Sequence, residues 1–181
     1  MTELPARLLT PVSAPARFSF RERLAGAIPS RSDLLIGAPC WGIEMALSAL
    51  VALYLRNRLE TSHLPTLILL YGFGGMLSWP FMLPFARFFA QGRRVETRFA
   101  AFFVALAGGT VAMTAFLFAM DYRIFYSRWH DPFGTVVWAY QFVFTGANAV
   151  YQFAVLGLDL FLPAGLACLI VTSLFLAKRM R

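Results

Sequence analysis

Four long apolar runs dominate the pattern of hydrophobic and polar positions along the chain. Residues 64–86 and 99–120 carry no formally charged side chain over 23 and 22 residues, and residues 160–177 carry none over 18. Residues 34–55 carry one carboxylate over 22 residues. A helix of about 20 apolar residues crosses the hydrocarbon core of a bilayer. The pattern therefore predicts an all-α protein, a polytopic bundle of transmembrane helices.

The segment 133–177 leaves the number of crossings open. Its 45 residues would form a helix about 67 Å long, more than twice the thickness of the hydrocarbon core, so it must break. Gly157 and Pro163 bracket the expected break around Asp159. We expect four crossings, with residues 133–155 lying in the membrane interface or re-entering from it. The expected spans are about 34–55, 64–87, 99–120 and 157–177. Five crossings, with 133–155 as a further span, is the alternative.

The basic residues predict an orientation, because lysine and arginine are enriched in cytoplasmic loops. Four crossings from a cytoplasmic N-terminus place twelve basic residues inside and four outside, whereas five crossings give nine against seven. We therefore expect a basic cytoplasmic tail over 1–33, a membrane domain over 34–177 and a basic cytoplasmic C-terminus over 178–181. Arginine outnumbers lysine fifteen to one, which is typical of GC-rich bacterial genomes and indicates a bacterial inner membrane.

The N-terminal tail lacks the apolar core of a signal peptide, so we expect it to be retained, with its first half disordered. Between residues 18 and 28, apolar side chains recur every four positions among arginines, at Phe20, Leu24 and Ile28. This spacing is typical of an amphipathic helix on a membrane surface, and a plain basic leader is the alternative. Asp33 is expected to cap the first span.

Composition and charge exclude some classes of protein. A 59% hydrophobic chain would leave a soluble fold with more apolar surface than it could bury, and a bilayer removes that problem. The net charge of +7 would suggest nucleic acid in a soluble protein, but here the basic residues flank spans, and no nucleic-acid partner is expected. Cys40 and Cys168 lie inside apolar runs and imply no disulfide framework.

Glu44 is the first candidate for a functional residue, because it lies in the middle of the first span. A carboxylate there is costly, and an intramembrane ionisable residue is a functional-site hypothesis. It would serve as a proton-coupling group or as the counter-ion of a cationic substrate. The alternative is a protonated glutamate that hydrogen-bonds to an amide of a neighbouring helix and only holds helices together.

The expected partner of Glu44 is a polar seam on the segment 133–155. The offsets of four, three and four residues place its members on one helical face, and Asp159 follows seven residues later. Such a seam lines a water path or ligand cleft, faces lipid headgroups, or binds another helix through side-chain amides. The seam consists of Gln141, Thr145, Asn148 and Gln152.

The loop 121–133 is expected outside and is rich in aromatic residues, which is typical of the interfacial belt of a membrane protein. Arg123 and Arg128 are candidates for binding a lipid phosphate or a headgroup-like substrate. His130 and Asp131 are further candidates in the same loop. Together with His63 they are too few and too irregularly spaced to predict a metal site.

Three classes of function remain open. The first is a non-enzymatic subunit or assembly partner of a larger membrane complex, and the second is a small transporter or channel component that uses Glu44 and the seam. The third is an enzyme for lipid-linked substrates. We find no catalytic or cofactor motif. Besides the bilayer, we expect a protein partner or a second copy to bind through small residues of the third span, where Ala101, Ala105 and Gly109 recur every four positions beside Gly108 and Ala112.

Overall fold

The computed structural model describes residues 19–180, and over these residues it contains helices and no strand. The predicted all-α bundle is confirmed. Residues 1–18, whose disorder the sequence predicts, lie outside the described residues. The elements are α1 (Phe20–Ala27), α2 (Arg31–Leu35), α3 (Gly37–Leu55), α4 (Leu64–Ala90), α5 (Val95–Tyr126), a 3₁₀ turn (Ser127–Trp129), α6 (Val136–Gln152), a π-helical turn (Phe153–Gly157), a second 3₁₀ turn (Leu158–Phe161) and α7 (Ala164–Arg179).

Four helical stretches are long and apolar enough to cross a membrane, which makes this a multi-pass membrane protein. They are Arg31–Leu55, Leu64–Ala90, Val95–Trp129 and Val136–Phe161. The first three contain the expected spans and extend beyond them. The fourth differs from the expected span 157–177, which covers the irregular turns after Gly157 and most of the 16-residue α7. The last part of the chain thus consists of the 26-residue stretch Val136–Phe161, which includes α6, and the 16-residue α7.

The break between α6 and α7 lies where Gly157 and Pro163 bracket Asp159. Leu162 leaves the helical conformation, with φ −114° and ψ 141°. The reason is steric, since proline disfavours helical backbone at the residue before it. A helix resumes at Ala164. Two bonds hold the break in place: the Tyr71 hydroxyl donates to the Gly157 carbonyl at 2.5 Å, and the Ser48 hydroxyl to the Leu160 carbonyl at 3.1 Å.

Helix α4 packs antiparallel to α3 on one side and to α5 on the other, and small residues lie at both contacts. Gly42 lies so close to α4 that an added Cβ would stand 2.8 Å from the Gly72 carbonyl oxygen. Gly74 lies even closer to α5, because a Cβ added at Gly74 would stand 2.0 Å from Thr114 Oγ1. Close backbone approach lets membrane helices gain dispersion energy where apolar burial gives no net drive. The glycines therefore set the spacing of the three helices.

A buried hydrogen-bond network joins the same three helices. The Trp41 indole Nε1 donates to Thr110 Oγ1 at 2.9 Å, and Ser78 Oγ lies 3.1 Å from the same oxygen. Trp41 belongs to α3, Ser78 to α4 and Thr110 to α5, and all three are buried. Since a buried polar group without a partner is costly, this network favours one mutual rotation of the helices.

The small-residue row of α5 faces the chain's own α4. Ala105 is buried, and a Cβ on Gly109 would stand 2.0 Å from Met82 Cγ of α4. Gly108 and Ala112, one position round the helix, are exposed. The row that suggested a partner or a second copy is therefore occupied within the chain over Ala105 and Gly109.

Helix α7 runs antiparallel to α3. Arg179, near its end, pairs with Asp33, while Thr172 contacts Glu44 and Gly165 lies against Ser48. The side chain of Arg87, at the end of α4, also binds Asp33, and Arg98, at the start of α5, donates to the Met180 carbonyl. We call this end of the bundle, formed by Asp33, Arg87, Arg98 and Arg179, the basic end. Arg87 and Arg179 bind the Asp33 carboxylate there, and Arg98 binds the end of α7.

Helix α6 lies against the opposite end of the bundle. Its side-chain contacts with α5 and the following loop fall within residues 122–131. From there the chain enters the bundle at the break and reaches the basic end through α7. Helix α6, the break and α7 thus make one passage, and the chain passes four times between the two ends.

Two expectations for the N-terminal part meet different outcomes. The expected helix at residues 18–28 is α1, which packs its Phe20 ring against Phe88 at a centroid distance of 5.5 Å. The expected N-cap at Asp33 is wrong, because Ser30 caps α2 and its hydroxyl accepts the Asp33 N–H at 3.1 Å. The Asp33 carboxylate is instead occupied by arginines.

Candidate functional site

Glu44 lies in a groove between α3 and α7 that has a volume of about 440 Å³. The carboxylate is half-buried, and Thr172 of α7 donates a hydrogen bond to its Oε2 at 3.3 Å. No ion pair to Glu44 occurs among residues 19–180. The sequence predicted Glu44 as a candidate, and the structure supplies the cavity around it.

The walls of the groove are mainly apolar and come from three helices. Helix α3 contributes Trp41 beside Glu44, α4 contributes Trp79 and Leu83, and α7 contributes Phe175. The indole Nε1 atoms are engaged elsewhere, that of Trp41 by Thr110 and that of Trp79 by the Asp33 carbonyl at 2.9 Å. The Glu44 carboxylate and the Thr172 hydroxyl are therefore the polar groups deep in the groove.

The groove reaches the basic end, where Asp33 and Arg179 line it, and we call this part its mouth. Asp33 Oδ2 accepts from Arg87 Nη2 at 2.7 Å, and Asp33 Oδ1 lies 3.1 Å from Arg179 Nη1. Asp33 and Glu44 are eleven residues apart, which corresponds to about 16 Å along a helix axis. Two arginines against one carboxylate leave the mouth positive, while the deep part of the groove carries the glutamate.

The expected pairing of Glu44 with the polar seam is not found in the described part of the chain. Gln141 Oε1 accepts the Asp131 N–H at 2.8 Å, Thr145 Oγ1 lies 3.3 Å from His130 Nε2, and Asn148 Nδ2 donates to the Tyr122 hydroxyl at 3.0 Å. Gln152 Nε2 also reaches that hydroxyl, at 3.5 Å. The seam is one helical face, as expected, but it binds the end of α5 and the loop after it.

The structure also separates Asp159 from Glu44. Arg56, just after α3, lies 3.6 Å from Asp159 Oδ2 and donates to the Asp159 carbonyl at 3.1 Å. This pair ties the break to the end of α3. Asp159 therefore holds the fold and does not extend the groove.

The loop candidates do not converge on one site. The Arg123 guanidinium lies 3.6 Å from the centroid of the Phe142 ring, a cation–π contact. His130 and the backbone of Asp131 contact the seam. Arg128 instead lines a cavity of about 560 Å³ with His63 and Asp121, at the opposite end. Within residues 19–180, no three His, Cys, Asp or Glu side chains come together as metal ligands.

Sequence reasoning missed Thr172 and Arg179 as neighbours of the two acidic groups on α2 and α3. Thr172 and the adjacent Ser173 are hydroxyl residues within the apolar run 160–177, and this is the available signal. Its meeting with Glu44 depends on how α7 is rotated against α3, which the period of one helix does not report. Comparison of the chain with protein-family models, with curated proteins and with solved structures gives no match.

Proposed function

We propose that this protein is a non-enzymatic subunit of a larger membrane complex. The observation that carries the proposal is how the polar side chains are used. The polar side chains of the α3–α4–α5 network bind neighbouring helices of the same chain, and so do those of the seam and of the basic end. Glu44 stands apart, because it faces an open groove. A chain whose other polar groups hold its own helices together, with no cluster of reactive side chains among residues 19–180, suits a scaffold in an assembly better than a catalyst.

The proposed location is a bacterial inner membrane, with the N-terminal tail in the cytoplasm. Support comes from the basic end, where Arg87, Arg98 and Arg179 meet, and from Arg93 and Arg94 in the short connection before α5. The positive-inside rule assigns such an end to the cytoplasm. In this orientation the groove opens toward the cytoplasmic face, and α6 lies at the outer interface.

A small transporter component is the second candidate, and the groove is the observation that favours it. An intramembrane carboxylate in a cavity, next to a broken helix, resembles the general plan of transporter binding sites. The Gly157–Pro163 break lies beside α3, where the Leu160 carbonyl meets Ser48. An enzyme for lipid-linked substrates has less support, since Arg123, Arg128, His130 and Asp131 do not form a common site.

The elution of the tagged full chain from native membranes tests the subunit proposal. Extracted in mild detergent at its native expression level, the protein is expected to elute above its own 20.2 kDa with another protein in a fixed ratio. The control is the same tag on an unrelated multi-pass protein of similar size. Two differently tagged copies, expressed together, measure self-association.

Elution without any other protein, as a monomer or as a self-assembly, would overturn the subunit proposal. The transporter candidate would then be tested in proteoliposomes. A pH-dependent flux that Glu44→Gln abolishes, at unchanged melting temperature, would establish it in place of the subunit role.

A further inference from the structure

The α3–α7 groove has the dimensions and lining of a small-molecule site. Its volume of about 440 Å³ lies within the range of about 300–1,000 Å³ that is usual for ligand pockets. Apolar and aromatic walls surround a few polar groups that would fix the orientation of a ligand. Trp79 and Phe175 are aromatic residues of this lining, and Phe175 is exposed.

Glu44 is incompletely hydrogen-bonded in this groove. Thr172 donates to Oε2, whereas Oε1 accepts no hydrogen bond from any residue in 19–180. A carboxylate oxygen can accept more than one hydrogen bond, and a charge-assisted bond in a low-dielectric site is stronger than a neutral one. The free acceptor therefore favours a ligand that brings both a positive charge and an N–H donor.

The charges around the groove argue for an organic cation rather than a metal ion. Arg87 and Arg179 outnumber the Asp33 carboxylate at the mouth, so a hydrated metal ion meets a positive entrance. Metal ligands also do not cluster in the described ranges. An amphiphile that partitions into the bilayer has another route, because Cys40 and Phe175 line the groove and are exposed along its side.

We propose that the α3–α7 groove binds an amphiphilic monocation with N–H donors, such as a primary ammonium on an aromatic or branched apolar body. The ammonium donates to Glu44 Oε1 and contacts the Thr172 hydroxyl. The apolar body lies against Trp79 and Phe175. This site is independent of the subunit role. A negative elution experiment therefore leaves the binding proposal intact, and a negative binding experiment leaves the subunit proposal intact.

Calorimetric titration of the full chain in lipid nanodiscs tests the proposal with two matched probes. The first is 2-(1-naphthyl)ethylamine, and the second is its N,N,N-trimethyl derivative, which keeps the charge but has no N–H donor. The primary amine is expected to bind saturably and about tenfold more tightly than the trimethyl compound. This comparison uses the unmodified chain and depends on no variant.

Substitution of the carboxylate supplies the second arm. Glu44→Gln keeps the size of the side chain and removes its charge, so it is expected to weaken primary-amine binding by about tenfold or more. Glu96→Gln, at an exposed carboxylate in the first turn of α5, is the matched control and should bind like the parent. Melting temperatures of both variants report whether the fold is retained.

Cys40 locates the ligand within the molecule. It lines the groove one helical turn before Glu44, and it is exposed. In a Cys168→Ser background, the primary amine should slow alkylation of Cys40 by N-ethylmaleimide, and Glu44→Gln should remove this protection. Equal binding of both probes, equal binding by parent and Glu44→Gln, or unprotected Cys40 would each overturn the proposal.

Discussion

Gly74→Val is expected to lower the free energy of unfolding by about 3 kcal/mol or more, since overpacking of a close contact costs about 1–3 kcal/mol and occasionally more. The added Cβ alone would stand 2.0 Å from Thr114 Oγ1 and 3.0 Å from the Thr114 Cα. The second distance involves backbone, so a change of rotamer cannot relieve it. Helices α4 and α5 would have to separate, which would also strain the Ser78–Thr110 contact.

Gly108→Val is the matched control for this substitution. Gly108 lies in the middle of α5, and an added Cβ there meets no atom within 4 Å. Both variants carry the same change in helix propensity, so the difference between them reports packing. Thermal melting in one detergent is the measurement. If Gly74→Val and Gly108→Val have the same melting temperature, the α4–α5 contact is not the one described.

Asp33→Asn is expected to have the next largest effect on stability. Its carboxylate is 11% exposed and binds Arg87, which is 17% exposed, and Arg179, which is 58% exposed. Removing one partner of a buried ion pair costs about 3–5 kcal/mol, and the exposure of Arg179 reduces this, so we expect a loss of about 2–4 kcal/mol. The amide keeps the shape of the side chain but leaves the Arg87 charge without its counter-ion.

Two further variants separate charge loss at Asp33 from general surface effects. Asp131→Asn removes an exposed carboxylate whose described contact is made by its backbone N–H, so it should melt like the parent. Arg179→Gln should cost less than Asp33→Asn, because Arg179 is largely exposed and Arg87 keeps its partner. A melting temperature of Asp33→Asn equal to that of Asp131→Asn would refute the structural role of the basic end.

The sequence was sufficient for the helical class, because uncharged runs of helical length have few other solutions in a membrane protein. It also located the break near Asp159, since glycine and proline act through local backbone geometry. The length of α7 is harder to predict from the sequence. Proline restricts Leu162, and the helix restarts only at Ala164, so residues 157–163 do not extend it.

The candidate site shows where periodicity stops being informative. The seam residues share a face of α6 as predicted, yet their partners are Tyr122, His130 and the Asp131 backbone. Which helix meets which face depends on close contacts such as Gly74 with Thr114, and these involve residues far apart in the chain. For the same reason, Thr172 and Glu44 meet across 128 positions without a local signal.

We propose that the chain makes four passages and that α7 ends beside Asp33 on the cytoplasmic side. Fusion of reporters to Arg181 tests it most directly. A fluorescent protein that matures only in the cytoplasm should give signal there, and a phosphatase active only after export should be inactive. Fusions to the loop between α3 and α4, after Arg58, should show the reverse. A dark fluorescent fusion at Arg181 with an active phosphatase, while the fusions after Arg58 still lie outside, would require a fifth crossing and would contradict the pairing of Arg179 with Asp33 at one end of the bundle. If the fusions after Arg58 reverse as well, the chain keeps four passages and its proposed orientation is overturned.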